Sequence, residues 1–238
     1  MTGQRFVQAL TLARHPIVME IKKRDGSGRD LVGGRSLREL VNRYEDADAP
    51  CLSVVTSPVF GGTASLLSDV AQLTTVPILV KDFIVREKQI VEASMNGASA
   101  VLLTASILPA HLLDRLITTA LDLAVTPVIE TVNSRQLQRV RYGQHCVVAV
   151  NNRDIAVRER NGPSGVARSL DLIADVRRTG TKCAVSASGV ETPEAAVQLL
   201  SAGYQGLLVG GALLRAPNVK QWIERVAELS GGKGPEHE

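Results

Sequence analysis

Two lysines and two glutamates stand at the carboxyl ends of short apolar runs, where acid–base chemistry is favoured. Glu20 and Lys22 close the first run, Lys81 follows the third run and Glu130 ends the fifth. A charged side chain at the end of a buried strand is costly unless it is paired. Opposite charges in one pocket can hold a protonated acid beside an ionised base. The four residues therefore predict either proton-transfer chemistry or a structural ion network.

Polar residues and glycines follow three further apolar runs. Asn151 and Arg153 follow the sixth run, Ser188 and Gly189 the seventh, and Gly210-Gly211 the eighth. Backbone N–H groups after the last two runs could cradle a phosphate at the start of a short helical stretch. The alternative is that these glycines only form turns. Their position after the seventh and eighth runs favours a phosphate site.

A fold that uses these residues together must bring the ends of eight strands to one place. The predicted strands are 17–21, 51–55, 77–80, 99–103, 127–130, 146–150, 183–187 and 206–209. They are rich in Val, Ile and Leu without alternation, as is typical of parallel strands buried on both faces. Amphipathic segments predict helices at 36–46, 109–123, 192–202 and 218–229.

Strands and helices that alternate in this way predict the α/β class with a parallel sheet. Eight strand–helix units at this length favour a single-domain (β/α)8 TIM barrel over residues 1–229, followed by a disordered tail at 230–238. A doubly wound sheet is the alternative, but no glycine-rich dinucleotide fingerprint follows the first strand. The active site of a barrel lies at the carboxyl ends of its strands, where these charged residues, polar residues and glycines stand.

Composition excludes several classes of function. The 238 residues carry a net charge of only +3, with 45% hydrophobic and 3% aromatic residues. These values argue against a disordered chain and against nucleic-acid binding. The apolar runs are too short to cross a membrane, and no signal peptide is evident. Cys51, Cys146 and Cys183 each open an apolar run, so we predict buried reduced thiols, no metal site and a cytoplasmic location.

Six sequence blocks, in this order, resemble indole-3-glycerol phosphate synthase. They are EIKK at 20–23, VKDF at 80–83, VIE at 128–130, VNNRD at 150–154, SASGV at 186–190 and LVGGALL at 208–214. The likeness runs from about residue 6 to residue 228. It implies a barrel that converts a phosphosugar, 1-(2-carboxyphenylamino)-1-deoxyribulose 5-phosphate, to indole-3-glycerol phosphate with loss of CO2 and water. It also implies a place in tryptophan biosynthesis, association with other enzymes of that pathway, and no metal or organic cofactor.

The resemblance further implies a role for each site residue. Lys81 is the general acid at the ribulose carbonyl oxygen, and Lys22 sits by the substrate carboxylate and assists the later loss of hydroxide. Glu130 is the base of ring closure and dehydration, with Glu20 as its partner. The implied substrate contacts are Asn151 and Ser188 for hydroxyl and carboxylate groups, Arg153 as support, Phe60 and Phe83 beside the anthranilate ring, and Gly189, Gly210 and Gly211 at the phosphate.

The chain departs from the family pattern at five places. Sixteen residues precede the first predicted strand, where the family usually has a longer extension. Asp25 replaces a serine that contacts phosphate, and its carboxylate opposes a dianion unless it points away. Ala187 replaces a glutamate, Gly211 a serine, and Arg158 an apolar residue near the aryl pocket. Two alternatives follow: a paralogue acting on a modified substrate in specialised metabolism, or a non-catalytic barrel that binds a phosphosugar.

Overall fold

A computed structural model describes residues 5–153 and 165–231 and shows a closed barrel of eight parallel strands. The strands are β1 Ile17–Ile21, β2 Cys51–Val55, β3 Ile78–Lys81, β4 Ala100–Thr104, β5 Thr126–Thr131, β6 Val147–Asn151, β7 Cys183–Ala187 and β8 Gly206–Val209. All eight predicted strands are present. Four have the predicted bounds, three lie one residue further along the chain, and β5 is longer at both ends. The predicted (β/α)8 barrel is confirmed.

Helices connect the strands around the outside of the barrel. In the described part of the chain they are α1 Arg5–Thr11, α2 Leu37–Glu45, α3 Leu66–Ala71, α4 Glu87–Met95, α5 Ala110–Asp122, α6 Ser134–Leu137, α7 Ala167–Arg178, α8 Pro193–Ala202, α9 Gly211–Arg215 and α10 Val219–Leu229. Local sequence fixes several of their starts. Ser36 and Glu39 form a capping box at α2, and the Thr192 side chain accepts from the backbone of Ala195 at α8.

Strand pairing brings polar residues from different strands to one level. Each strand pairs with the next, and β8 pairs with β1. Thr104 of β4 lies opposite Glu130 of β5, and Asn151 of β6 lies opposite Ala187 of β7. Residues that end different strands therefore face a common space at the carboxyl end of the barrel.

Two apolar layers hold the barrel together. The outer layer lies between strands and helices and includes Ile17, Met19 and Ile21 of β1. The inner layer fills the barrel with small and aliphatic side chains: Val18, Cys51, Leu79, Ala100, Leu102, Val128, Val147, Ala149, Cys183, Val185, Ala187 and Leu208. Phe6 and Leu10 of α1 pack against this inner layer, so α1 covers the amino-terminal end of the barrel.

The three cysteines are buried and free, as predicted. Burial raises the pKa of the Cys146 and Cys183 thiols to about 12. Residues 5–153 and 165–231 contain no cluster of three potential His, Cys, Asp or Glu metal ligands. Within the same ranges, no helix has the length and apolar character needed to cross a membrane.

The last helix ends at Leu229, where the predicted barrel domain also ends. Most of the predicted disordered tail, residues 232–238, lies outside the described residues. The domain boundary and the disorder of the tail therefore stay predictions.

Leu10 and Leu12 provide a matched test of how α1 closes the barrel. Leu10 is fully buried, whereas Leu12 is 84% exposed. Leu10→Ala should lower the free energy of unfolding by roughly 2–5 kcal/mol, because it leaves a cavity in the inner layer. Leu12→Ala should change it by no more than about 0.5 kcal/mol. Urea denaturation measures both values, and equal effects of the two substitutions would contradict the packing of α1 described here.

Candidate active site

The Glu20 carboxylate holds two lysines at the carboxyl end of the barrel. Its Oε1 lies 2.9 Å from Lys22 Nζ and its Oε2 lies 3.1 Å from Lys81 Nζ. The glutamate side chain is 3% exposed and each lysine side chain is 16% exposed. The predicted convergence of charges from β1 and β3 is therefore present as a buried ion network.

Mutual attraction fixes the charge state of this network. Burial by itself would raise the pKa of Glu20, but Lys81 and Lys22 outweigh it and lower that pKa to about 2. Burial would likewise lower the pKa of Lys81, but the negative charges of Glu20 and Glu130 raise it above its ordinary value. At neutral pH, Glu20 is thus ionised and Lys81 carries a proton that it can donate.

Glu130 of β5 behaves differently from Glu20. Burial raises its pKa above the ordinary carboxyl value, although Lys81 and hydrogen bonding from the Asn151 side chain partly oppose this effect. The charge of Glu20 raises the pKa of Glu130 further. Among the described residues, no side chain or backbone group hydrogen-bonds to its buried Oε2. One barrel end therefore combines a carboxyl group whose pKa is lowered, Glu20, with one whose pKa is raised, Glu130. Such a separation of pKa values is expected of acid–base sites.

Glycine at position 210 is required by Glu20. A Cβ at Gly210 would collide with the Glu20 carboxylate. At the next position, a Cβ on Gly211 would lie 2.8 Å from a terminal nitrogen of Arg215. These glycines thus make room for charged side chains, a reason that appears only in the tertiary structure.

A cavity opens beside the ion network. It is lined by Glu20, Lys22, Asp25, Arg29, Leu31, Lys81, Arg153, Ser188, Gly189, Val190, Glu191, Leu208, Val209, Gly210, Gly211, Ala212 and Arg215. Eight of the twelve predicted site residues are in this lining: Glu20, Lys22, Lys81, Arg153, Ser188, Gly189, Gly210 and Gly211. The loops after β1, β6, β7 and β8 therefore meet at one cavity, as the barrel predicts.

The other four predicted site residues lie outside this lining. Glu130 and Asn151 are buried at the ends of β5 and β6. The Phe60 ring centroid is 5.8 Å from Lys22 Nζ, within cation–π range, whereas Phe83 is 36% exposed. Phe60 thus belongs to the edge of the network, and the predicted role of Phe83 beside an aromatic ring stays a prediction.

Asp25 points into its own loop. Its Oδ1 accepts hydrogen bonds from Ser27 Oγ at 2.6 Å, from Ser27 N at 2.9 Å and from Arg29 N at 3.1 Å. Its Oδ2 accepts from Arg29 Nε at 3.1 Å and pairs with the terminal Arg29 nitrogen at 2.9 Å. The hydrogen bond from Ser27 is the main reason that the pKa of Asp25 is well below its usual range. Its negative charge is thus matched by Arg29.

Four charged residues of the cavity wall were not among the predicted site residues: Asp25, which was noted only as a departure from the family pattern, and Arg29, Glu191 and Arg215. Glu191 accepts from both Arg153 and Arg215, and so ties the loops after β6, β7 and β8 together. The sequence held one indication of these wall residues: Arg29 is a basic residue in the loop after β1, and Arg215 is a basic residue at the end of α9. Two further residues depart from the family pattern. Ala187 is buried inside the barrel, and Arg158 lies outside the described residues.

Comparison with known proteins bears on this site directly. The sequence profile of the family described as indole-3-glycerol phosphate synthase matches residues 3–226. The chain belongs to the indole-3-glycerol phosphate synthase family. It is 32% identical to the synthase of Streptococcus mutans over 219 residues, covering 92% of this chain and 82% of that protein. It is 31% identical to the synthase of Sulfurisphaera tokodaii over 221 residues, with 92% and 86% coverage.

The comparison of structures supports the fold. The 3-hexulose-6-phosphate synthase of Salmonella typhimurium superposes with a TM-score of 0.71, covering 90% of this chain and 97% of that chain. The two sequences are only 11% identical, so this likeness concerns the barrel alone.

Removal of Lys81 tests the electrostatics of Glu130. Lys81→Met should raise the pKa of Glu130 further, because the lysine charge is the principal effect that opposes burial. Lys22→Met is the matched control and should change this pKa much less, because Lys22 pairs with Glu20 instead. Carbon-13 NMR titration of the glutamate carboxyl groups measures both shifts. An unchanged or lowered Glu130 pKa in Lys81→Met would contradict the arrangement.

The ion network should also make stability depend on pH. Because the folded-state pKa of Glu20 is lowered from 4.5 to about 2, its contribution is complete above pH 4.5 and is lost as the pH falls towards 2. The difference in unfolding free energy between the wild type and Glu20→Gln should therefore shrink over that interval. Urea denaturation at a series of pH values measures it, with Glu228→Gln on the exposed face of α10 as control. A difference for Glu20→Gln that is constant with pH would exclude this linkage.

Proposed function

We propose that this chain is an indole-3-glycerol phosphate synthase, a carboxy-lyase that closes the indole ring of tryptophan biosynthesis. The observation that carries the proposal is the buried network in which Glu20 holds Lys22 and Lys81 beside a cavity, in a chain of this family. The substrate is 1-(2-carboxyphenylamino)-1-deoxyribulose 5-phosphate. The products are indole-3-glycerol phosphate, CO2 and water.

Ring closure needs a proton donor at the ribulose carbonyl oxygen. The aromatic carbon that bears the carboxylate attacks the carbonyl carbon, and a new carbon–carbon bond forms. Negative charge then develops on the carbonyl oxygen, and Lys81 donates a proton to it. The raised pKa of Lys81 supports this role, because the residue is charged before the reaction begins.

Two losses follow ring closure. The carboxylate leaves as CO2, and the electrons of its bond restore the aromatic ring. The new hydroxyl group then leaves as water, assisted by Lys22, while a proton is removed from the adjacent methylene carbon. Glu130 is the proposed base for that proton, since its raised pKa makes its ionised form a stronger proton acceptor than an ordinary carboxylate.

Glu20 keeps both lysines in place throughout these steps. It is ionised, fully engaged with Lys22 and Lys81, and enclosed by the backbone at Gly210. Asn151, through its contact with the Glu130 carboxyl, orients the base. A non-catalytic phosphosugar-binding barrel is less well supported, because simple binding does not need this separation of pKa values.

Turnover of the carboxyphenylamino-deoxyribulose phosphate, followed by indole fluorescence, tests the proposal. Lys81→Met should lower kcat by roughly 10²–10⁴-fold, the usual contribution of a general acid. Lys88→Met is the matched control, because Lys88 is an exposed lysine of α4 whose side chain is 84% exposed. It should react at the wild-type rate.

Other results of this assay would overturn the proposal. A wild-type protein that binds the substrate without turnover is a phosphosugar-binding barrel. One that neither binds nor converts it is a paralogue with another substrate. A cytoplasmic location and association with other tryptophan-pathway enzymes stay predictions, which fractionation and co-purification would test.

A further inference from the structure

The cavity wall carries an excess of positive charge. Its ionisable side chains are five cations and three anions, a net charge of +2. The cations are Lys22, Arg29, Lys81, Arg153 and Arg215, and the anions are Glu20, Asp25 and Glu191. Such an excess is complementary to a phosphate monoester, which carries about two negative charges at neutral pH.

Arg29 reaches this wall because of Asp25. The carboxylate binds the Arg29 backbone N–H, its Nε and a terminal nitrogen, and thereby holds the loop after β1 in a fixed shape. Only one edge of the guanidinium group is used in this pairing. The family pattern has a phosphate-contacting serine at position 25. In this chain, the same position instead orients an arginine towards the cavity.

The Arg215 guanidinium group occupies space beside Gly211 that a side chain at position 211 would restrict. A Cβ at position 211 would lie 2.8 Å from one terminal nitrogen of Arg215, and the other terminal nitrogen donates to Glu191. A serine at position 211, which the family pattern usually has, would displace the guanidinium group. The absence of a side chain at Gly211 and the placement of Arg215 are therefore coupled.

We propose that Arg29 and Arg215 bind the substrate phosphate group in place of the hydroxyl donors that serines at positions 25 and 211 would supply. The identity of the ligand as a phosphorylated substrate rests on the proposed function. A guanidinium group forms charge-assisted and often bidentate hydrogen bonds with phosphate, which are stronger than those of a neutral hydroxyl. Two residues that depart from the family pattern thus exchange one kind of phosphate donor for another.

Calorimetric titration with inorganic phosphate at low ionic strength tests the two arginines without turnover. Arg29→Met and Arg215→Met should each raise the Kd for phosphate on the order of tenfold, the loss expected for a charged hydrogen-bond donor. Arg115→Met is the matched control, because Arg115 is as exposed as Arg29 and pairs with Glu87 on the outside of the barrel. A variant whose Kd equals that of the control would exclude its arginine from the site.

A serine at position 211 tests the coupling with Arg215. Gly211→Ser should weaken phosphate binding in the wild type, because the new side chain displaces the guanidinium group. In the Arg215→Met background the space is vacant, so Gly211→Ser should cost nothing or tighten binding through its hydroxyl group. Equal weakening in both backgrounds would refute the coupling.

Kinetics with the phosphosugar separate this inference from the proposed function. Both arginine variants should raise KM on the order of tenfold and change kcat little, because they act on a part of the substrate that does not react. If Arg29→Met and Arg215→Met both convert the phosphosugar with the same KM as the control Arg115→Met, the arginine site is excluded and the proposed function stands. If the wild-type protein does not convert the phosphosugar, but the arginine variants still bind inorganic phosphate with a raised Kd, only the proposed function is overturned.

Discussion

The buried carboxylate of Glu20 constrains the whole carboxyl end of the barrel. An ionised group at this depth must be paired on both oxygens, and Lys22 and Lys81 fill the two positions. Its bulk then requires glycine at position 210. Three strands, β1, β3 and β8, are thus tied to one side chain, and the strand register sets the distances between the groups that carry the chemistry.

A second constraint is that the apolar core must be built almost without aromatic side chains. With only 3% aromatic residues, the barrel is filled by Val, Leu, Ala and Cys on the inside. Largely aliphatic side chains cover it on the outside, together with Tyr44 and Tyr204. Phe6 is an exception that lies below the barrel and, with Leu10, covers its amino-terminal end. The amino-terminal end of the barrel is therefore closed by apolar side chains, whereas its carboxyl end carries the charged network.

The departures from the family pattern gain a common explanation in the structure. As a single residue, Asp25 would oppose a bound anion, yet its carboxylate is hydrogen-bonded to Ser27 and paired with Arg29 within its own loop. Gly211 lacks a hydroxyl group but leaves room for Arg215. In both cases the replaced residue acts through an arginine four residues further along the chain.

The sequence by itself determined the (β/α)8 barrel and its eight strands to within about one residue, because short apolar runs without alternation are typical of buried parallel strands. It also determined eight of the seventeen cavity-lining residues, because they follow the carboxyl ends of those strands. It also determined the family. Only the tertiary structure decided which charges pair, since Glu20 and Lys81 are 61 residues apart in sequence and meet through closure of the barrel. The opposite pKa shifts of Glu20 and Glu130, the inward turn of Asp25 and the places of Arg29, Glu191 and Arg215 likewise depend on loop geometry that no local pattern encodes.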